Sequence, residues 1–219
     1  MLAFLHTAEV HVPNFTGVLR GLDRHVPSRH AVRDDLLARA LADGRVTEGT
    51  RRDTQTEVQR LVAEGARVVL CTCSTLGSAA EATPGVPGAR VIRVDRPMAE
   101  RAVATGRSIL LVAATPTAMA SAVALLGEAA RAGRPPAVRE LLCAAAWELF
   151  QAGDSSGYAT AVASAVDEQA RANDVVMLAQ ASMASAAALV GRSDVEVLTS
   201  PDVGVRAALA LLGALAGAS

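Results

Sequence analysis

The sequence predicts an α/β fold of two pseudo-symmetric lobes, each a parallel four-stranded sheet flanked by helices, with a cleft between them. Three observations carry this. Short apolar runs rich in β-branched residues alternate with helical segments, the pattern of buried parallel strands with helical crossovers. One such run, Val68-Val69-Leu70-Cys71-Thr72-Cys73-Ser74-Thr75-Leu76-Gly77, ends in a cysteine and two hydroxyl residues and leads into a small-residue helix, Leu76 to Glu81. Then the chain nearly repeats it. Val175-Val176-Met177-Leu178-Ala179-Gln180-Ala181-Ser182-Met183 lies 107 residues further on, setting Thr75 on Ser182 and Ser78-Ala79-Ala80 on Ser185-Ala186-Ala187. Cys73 falls on Gln180, a thiol in one copy and an amide in the other. The lobes are expected at residues 1–96 plus 203–219, carrying Cys73, and at 97–202, carrying Gln180.

In the first copy, Leu2 to His6 reads as a strand ending at His6-Thr7. The segment His11 to Arg29 holds two prolines and reads as loop or broken helix. Val32 to Ala42 is helical, with Asp43-Gly44 as its stop. Thr50 to Glu64 is an amphipathic helix with Val58, Leu61 and Val62 on one face, and Gly65 ends it. The strand Arg67 to Cys71 follows. Ala82 to Arg90 carries two prolines and two glycines, a surface loop. Val91 to Val94 is a short strand, and Pro97 opens a helix to Thr105.

The second copy begins with the strand Ser108 to Ala113, which the same offset lays on the first strand. Pro116 starts a long helix to Arg131, Gly133-Arg134-Pro135-Pro136 is a turn, and Val138 to Cys143 is a strand. Asp154-Ser155-Ser156 caps a helix running to Ala172. The strand Val175 to Ala179, a helix from Ser182, the strand Val195 to Leu198 and a last helix from Pro201 to about Ala216 complete the chain. Right-handed crossovers put the C-terminal strand ends of one lobe on one side; if the lobes pack with those ends facing, as the internal symmetry suggests, Cys73 and Gln180 look across a shared cleft.

Composition narrows the function. The 219 residues carry a formal net charge of −1 and only five aromatic residues, so there is neither a basic stripe nor a base-stacking surface. Nucleic acid and anionic membrane are poor partners. All 21 basic residues are arginine, which excludes Schiff-base lysines, lysine-anchored pyridoxal phosphate and a P-loop lysine. Three cysteines without regular spacing make no disulfide framework, and thiols suggest the cytoplasm. The N-terminus meets His6, Glu9 and His11 before any long apolar run, unlike a signal peptide. Ser108 to Gly127 is uncharged, but Thr115-Pro116-Thr117 cuts it into strand and helix rather than a membrane span. No metal or other cofactor is expected.

Cys73 is the first candidate for chemistry. It lies past a strand end with a helix start just after, where the dipole and backbone N–H groups lower a thiol pKa. The bland reading is an inert buried thiol, and Cys71, inside the strand, and Cys143 fit it. Ser74, Thr75, Thr115, Thr117 and Ser182 are candidate anion-binding hydroxyls, because hydroxyls and N–H groups at helix starts hold a carboxylate. Each could equally be a helix cap. Thr7 and Ala181, next to His6 and Gln180, join the binding set. Gln180 could hydrogen-bond a substrate opposite the thiol or be a remnant of lost catalysis. His6 could be a second acid or base, or structural. Glu9, His11 and Asp95 rank lower, and Arg96 could reach a second substrate carboxylate.

These residues resemble the aspartate/glutamate/hydantoin racemase superfamily. Cys73-Ser74-Thr75 is similar to its cysteine turn, Leu178 to Met183 matches the second turn except for the cysteine, and Thr115-Pro116-Thr117 resembles its carboxylate-binding loop. The resemblance implies cofactor-free chemistry at the α-carbon of a small carboxylate, and a homodimer. Two-thiol racemisation is not expected, because Gln180 has no proton to trade near neutral pH. Related one-thiol members include arylmalonate decarboxylases, whose thiol sits in the second copy, and maleate isomerase-like enzymes with a nucleophilic cysteine. The expected function is an isomerase or racemase-type enzyme working through Cys73. The alternatives are a malonate-type decarboxylase or a carboxylate-binding protein without turnover.

Overall fold

Two stretches, Leu2–His6 (β1) and Val68–Cys71 (β3), are buried along their whole length, and they pair in parallel as the centre of a sheet. In a computed structural model, which describes residues 1–132 and 136–217, β1 and β3 are flanked by Ser28–Val32 (β2) and Arg90–Arg93 (β4) in the order β2-β1-β3-β4. All three pairings are parallel. Crossovers run through the helices His11–Leu22 (α1), Asp34–Ala42 (α2), Glu48–Ala63 (α3) and Gly77–Glu81 (α4). These elements form one compact unit, Met1–Val94, which the chain rejoins from Pro201.

The second unit, Asp95–Ser200, repeats the plan. After Arg96–Ala104 (α5), the strands Ile109–Ala113 (β5), Val138–Leu142 (β6), Val175–Leu178 (β7) and Glu196–Leu198 (β8) form a parallel sheet ordered β6-β5-β7-β8. Its helices are Pro116–Ala129 (α6), Ala144–Gln151 (α7) and Ser155–Gln169 (α8), with short 3-10 segments at Ala130–Ala132 and Ala181–Ala188. Ser200–Gly217 (α9) carries the chain back to the first unit.

The two sheets share their central register. Leu5 pairs with Cys71 and Val112 with Leu178, each partner 107 residues from its counterpart. One residue further, Thr72 N–H donates to Leu5 O and Ala179 N–H to Val112 O, both at 2.9 Å. The central strands, apolar on both faces, fix this match, because a one-residue slip would rotate every side chain to the wrong face.

Four details differ from the sequence reading. His11 to Arg29 is not loop: α1 is a 12-residue helix whose Pro13 sits in its first turn, where no N–H is needed. The helix expected from Val32 starts at Asp34, and Ser28–Val32 before it is an edge strand. Such a strand, mostly exposed or half-buried, shows no apolar alternation to read. Helix α7 follows β6 without any anticipated break. Finally, the segment expected as a helix from Ser182 is a 3-10 helix starting at Ala181. Of the expected turn at Gly133 to Pro136, residues Gly133, Arg134 and Pro135 lie outside the described residues. Ser108 to Gly127 divides into β5 and α6, and no helix among the described residues is long and apolar enough to cross a membrane.

Candidate functional site

In the first unit, strand β3 ends at Cys71 and releases the chain into a tight turn through Cys73, Ser74, Thr75 and Leu76 before α4. Cys71 is fully buried and its thiol donates to the Cys73 carbonyl at 3.6 Å. Cys73 is 9% exposed, so it reaches the margin of the core that Cys71 only fills. The three cysteines form no disulfide. The helix behind Cys73 is as short as the sequence suggests: α4 has five residues and begins four positions on, at Gly77. One turn and a half sums few peptide dipoles, so the helix contributes little to the thiol's electrostatics. The turn itself supplies the nearby polar groups, with Ser74, Thr75 and Thr7 all buried.

Beneath this turn runs a chain of hydrogen bonds whose direction follows from the Leu5 carbonyl and from the neutrality of the buried histidines. Leu5 O can only accept, so the Thr72 hydroxyl donates to it at 3.2 Å. That leaves Thr72 Oγ1 to accept from His6 Nδ1 at 2.7 Å. Burial keeps His6 neutral, so its Nε2 accepts from His30 Nδ1 at 2.8 Å, and a neutral His30 accepts through Nε2 from Thr16 Oγ1 at 3.2 Å. Burial, with His30 and His11 nearby, pushes the His6 pKa down to about 3, and burial pushes His11 down to about 4. The rings of Phe4, His6 and His30 stack within 10° of parallel, with Phe15 tilted against them. Fully buried, with both ring nitrogens committed, His6 presents no nitrogen outward.

Sequence reasoning missed Arg93. This arginine is 1% exposed, at the end of β4, and its Nη2 donates to Ser74 O at 3.2 Å. The only signal was a charged residue inside the apolar strand Val91-Ile92-Arg93-Val94. It also passed over His30 and Thr72, which lack a recognisable pattern, and Tyr158 in the second unit.

In the second unit, Gln180 stands where the repeat puts Cys73. Its Oε1 accepts from Ala114 N–H at 2.6 Å, and because a backbone N–H must meet an oxygen, the amide orientation is fixed. Its Nε2 makes no hydrogen bond among the described residues. Ala181 and Ser182 follow in the 3-10 helix, with Ser182 Oγ 3.0 Å from the buried Tyr158 hydroxyl. Burial raises the Tyr158 pKa to about 12, so the phenol is a neutral donor or acceptor. Thr115 caps α6: its Oγ1 accepts from Ala118 N–H at 3.3 Å and lies 3.4 Å from Thr117 Oγ1. Arg96, considered for a second carboxylate, pairs with Glu128 at 3.0 Å. Within one unit the structure thus brings together His6, Thr7, Cys73, Ser74 and Thr75 around the ends of β1 and β3. Within the other it brings together Thr115, Thr117, Gln180, Ala181 and Ser182 around the ends of β5 and β7. Among the described residues no group of His, Cys, Asp and Glu is placed to hold a metal ion.

Comparison with solved structures returns one architecture. The chain superimposes on the aspartate racemase of Picrophilus torridus with TM-score 0.69 at 11% identity, covering 99% of this chain and 94% of that one. For the glutamate racemase of Thermus thermophilus, solved with β-chloro-D-alanine, the TM-score is 0.67 at 18% identity, with 97% and 80% covered. This is the racemase fold. A variant of arylmalonate decarboxylase shares the racemase fold, at TM-score 0.55 and 17% identity over 97% of this chain and 93% of that chain. No protein-family model and no curated protein sequence matches the chain. At these identities the likeness lies in the racemase fold, while the site rests on this chain's own residues.

Proposed function

We propose that this chain is a cofactor-independent enzyme of the aspartate/glutamate racemase superfamily that acts at the α-carbon of a small carboxylate through one thiol, Cys73. The observation that carries the reading is the position of Cys73. On a racemase fold, it stands at the end of a central strand, at the margin of the core, in a turn of hydroxyl residues. In the reaction the Cys73 thiolate takes the proton from the α-carbon and the C–H electron pair moves into the carboxylate as an enediolate. Backbone N–H groups and the hydroxyls of Ser74, Thr75 and Thr7 hold the charge as it develops. His6, neutral and enclosed, sets the position of Thr72 and through it the strand end next to Cys73. With a single thiol, the proton returns from Cys73 itself or from water.

Incubation with panels of amino acids, hydantoins and aryl- or alkyl-malonates in deuterium oxide tests this. Wild type is expected to exchange the α-proton of at least one substrate, and Cys73→Ala to lose at least about 10²-fold of that rate. Release of CO2 from a malonate, also lost in Cys73→Ala, would place the same thiol in a decarboxylase. Saturable binding with no exchange and no CO2 across the panel would overturn the enzyme reading and leave a carboxylate-binding protein.

A further inference from the structure

A buried arginine is expensive unless something requires it, because removing a guanidinium from water costs several kcal/mol before any partner compensates. Arg93 is the largest of the fully buried side chains, and it lies directly behind the Cys73 turn. Its Nη2 donates to Ser74 O, the carbonyl of the residue after Cys73. Gly77 N–H donates to the same oxygen at 3.3 Å, so both lone pairs of that carbonyl are held. The Arg93 backbone N–H donates to Glu81 Oε1 at 3.1 Å, fixing the far end of α4 to the same strand end.

Gly77 makes room for this. A Cβ there would lie 2.8 Å from Arg93 Nε, 2.9 Å from Arg93 Cβ and 3.0 Å from Cζ. Both the close approach of β4 and the arginine side chain therefore require glycine at 77, at an ordinary backbone conformation.

The internal repeat provides a control. The 107-residue offset sets Gly77 on Ala184. In β3 and β4, Arg93 pairs with Cys71; in the second unit the residue beyond Leu198, opposite Leu178, is Thr199. The copy with the thiol has the buried arginine and the glycine it lies against, and the copy with the amide has neither. A buried charge needed only for the sheet or the crossover would have as much reason to appear in both.

We infer that Arg93 is a positioning residue that clamps the Ser74 carbonyl and so holds the Cys73-Ser74-Thr75 turn in the shape that presents the thiol. The inference rests on Cys73 being the reacting group. Lysine cannot replace the clamp: its single ammonium lacks the rigid planar fork of donors that an arginine directs at a carbonyl.

Iodoacetamide labelling over a range of pH tests it, with the rate at each cysteine read from peptide fragment masses. Cys143, half-buried in the other unit, is the internal reference. Arg93→Lys and Gly77→Ala are each expected to slow Cys73 labelling about tenfold or more and to move its pH midpoint upward, with Cys143 labelled as in wild type. Circular dichroism establishes that the variants are folded. Folded variants whose Cys73 profile superimposes on wild type would overturn the inference, and so would loss of folding in both, since Arg93 would then be a structural charge. Wild-type Cys73 that labels no faster than buried Cys71 would instead remove the proposed function, a distinguishable failure.

Discussion

A histidine is a poor filler for a strand end unless its nitrogens are used, and His6 uses both. Its neutrality has a measurable consequence for stability. The unfolded chain holds His6 at the ordinary value of 6.5, whereas the folded chain holds it near 3. Between those limits the unfolded state binds more protons, so stability is fully present above about pH 6.5 and falls as the pH drops towards 3. His11, lowered to about 4, and His30, also lowered, act in the same direction. His6 and His11 each contribute a slope of up to about 1.4 kcal/mol per pH unit inside their windows. His6→Asn should be less stable than wild type at pH 7, because Thr72 and His30 lose their partner. Its urea midpoint should then vary less steeply between pH 6 and 4. Equal slopes in the two proteins would mean that His6 is charged when folded, against the hydrogen-bond directions described above.

Among the elements, α8 gives the cleanest case of one contact serving two residues. Asp154 caps it, accepting from Gly157 N–H at 2.8 Å. A Cβ on Gly157 would meet the Asp154 carboxylate and turn it away from the helix start, so an alanine at either position weakens the same cap. Asp154→Ala should cost about 1 kcal/mol. Gly157→Ala should cost a similar amount despite alanine's better helix propensity, and the double variant should cost scarcely more than either single one. Additive losses in thermal or urea unfolding would show that the two substitutions act separately. The same scale explains the misreadings. The Asp154-Ser155-Ser156 cluster announced α8, because capping is local chemistry written in adjacent residues. The edge strand β2 announced nothing: its side chains are mostly exposed or half-buried, and only its pairing with β1 makes it a strand.

At the scale of the whole molecule, the chain leaves its first unit after Val94 and returns to it at Pro201. Gly204, in the first turn of the returning α9, sits against the point of departure: a Cβ there would lie 2.6 Å from Val94 Cγ2 and 2.7 Å from Val94 O. Backbone cannot yield as a side-chain tip can, so Gly204→Ala should destabilise the protein by about 1–3 kcal/mol. A wild-type melting temperature in this variant would show that α9 is not held so closely. The sequence by itself determined the duplicated α/β plan, the central strands and the matched turns at Cys73 and Gln180. Buried strands, helix caps and internal repeats are written in neighbouring residues and survive without coordinates. Only the tertiary structure decided that His6 is enclosed in a hydrogen-bond chain ending on Leu5 O and that Arg93 lies behind the thiol turn. Those facts join residues 19 to 67 positions apart, and such pairings exist only once the strands have set their register.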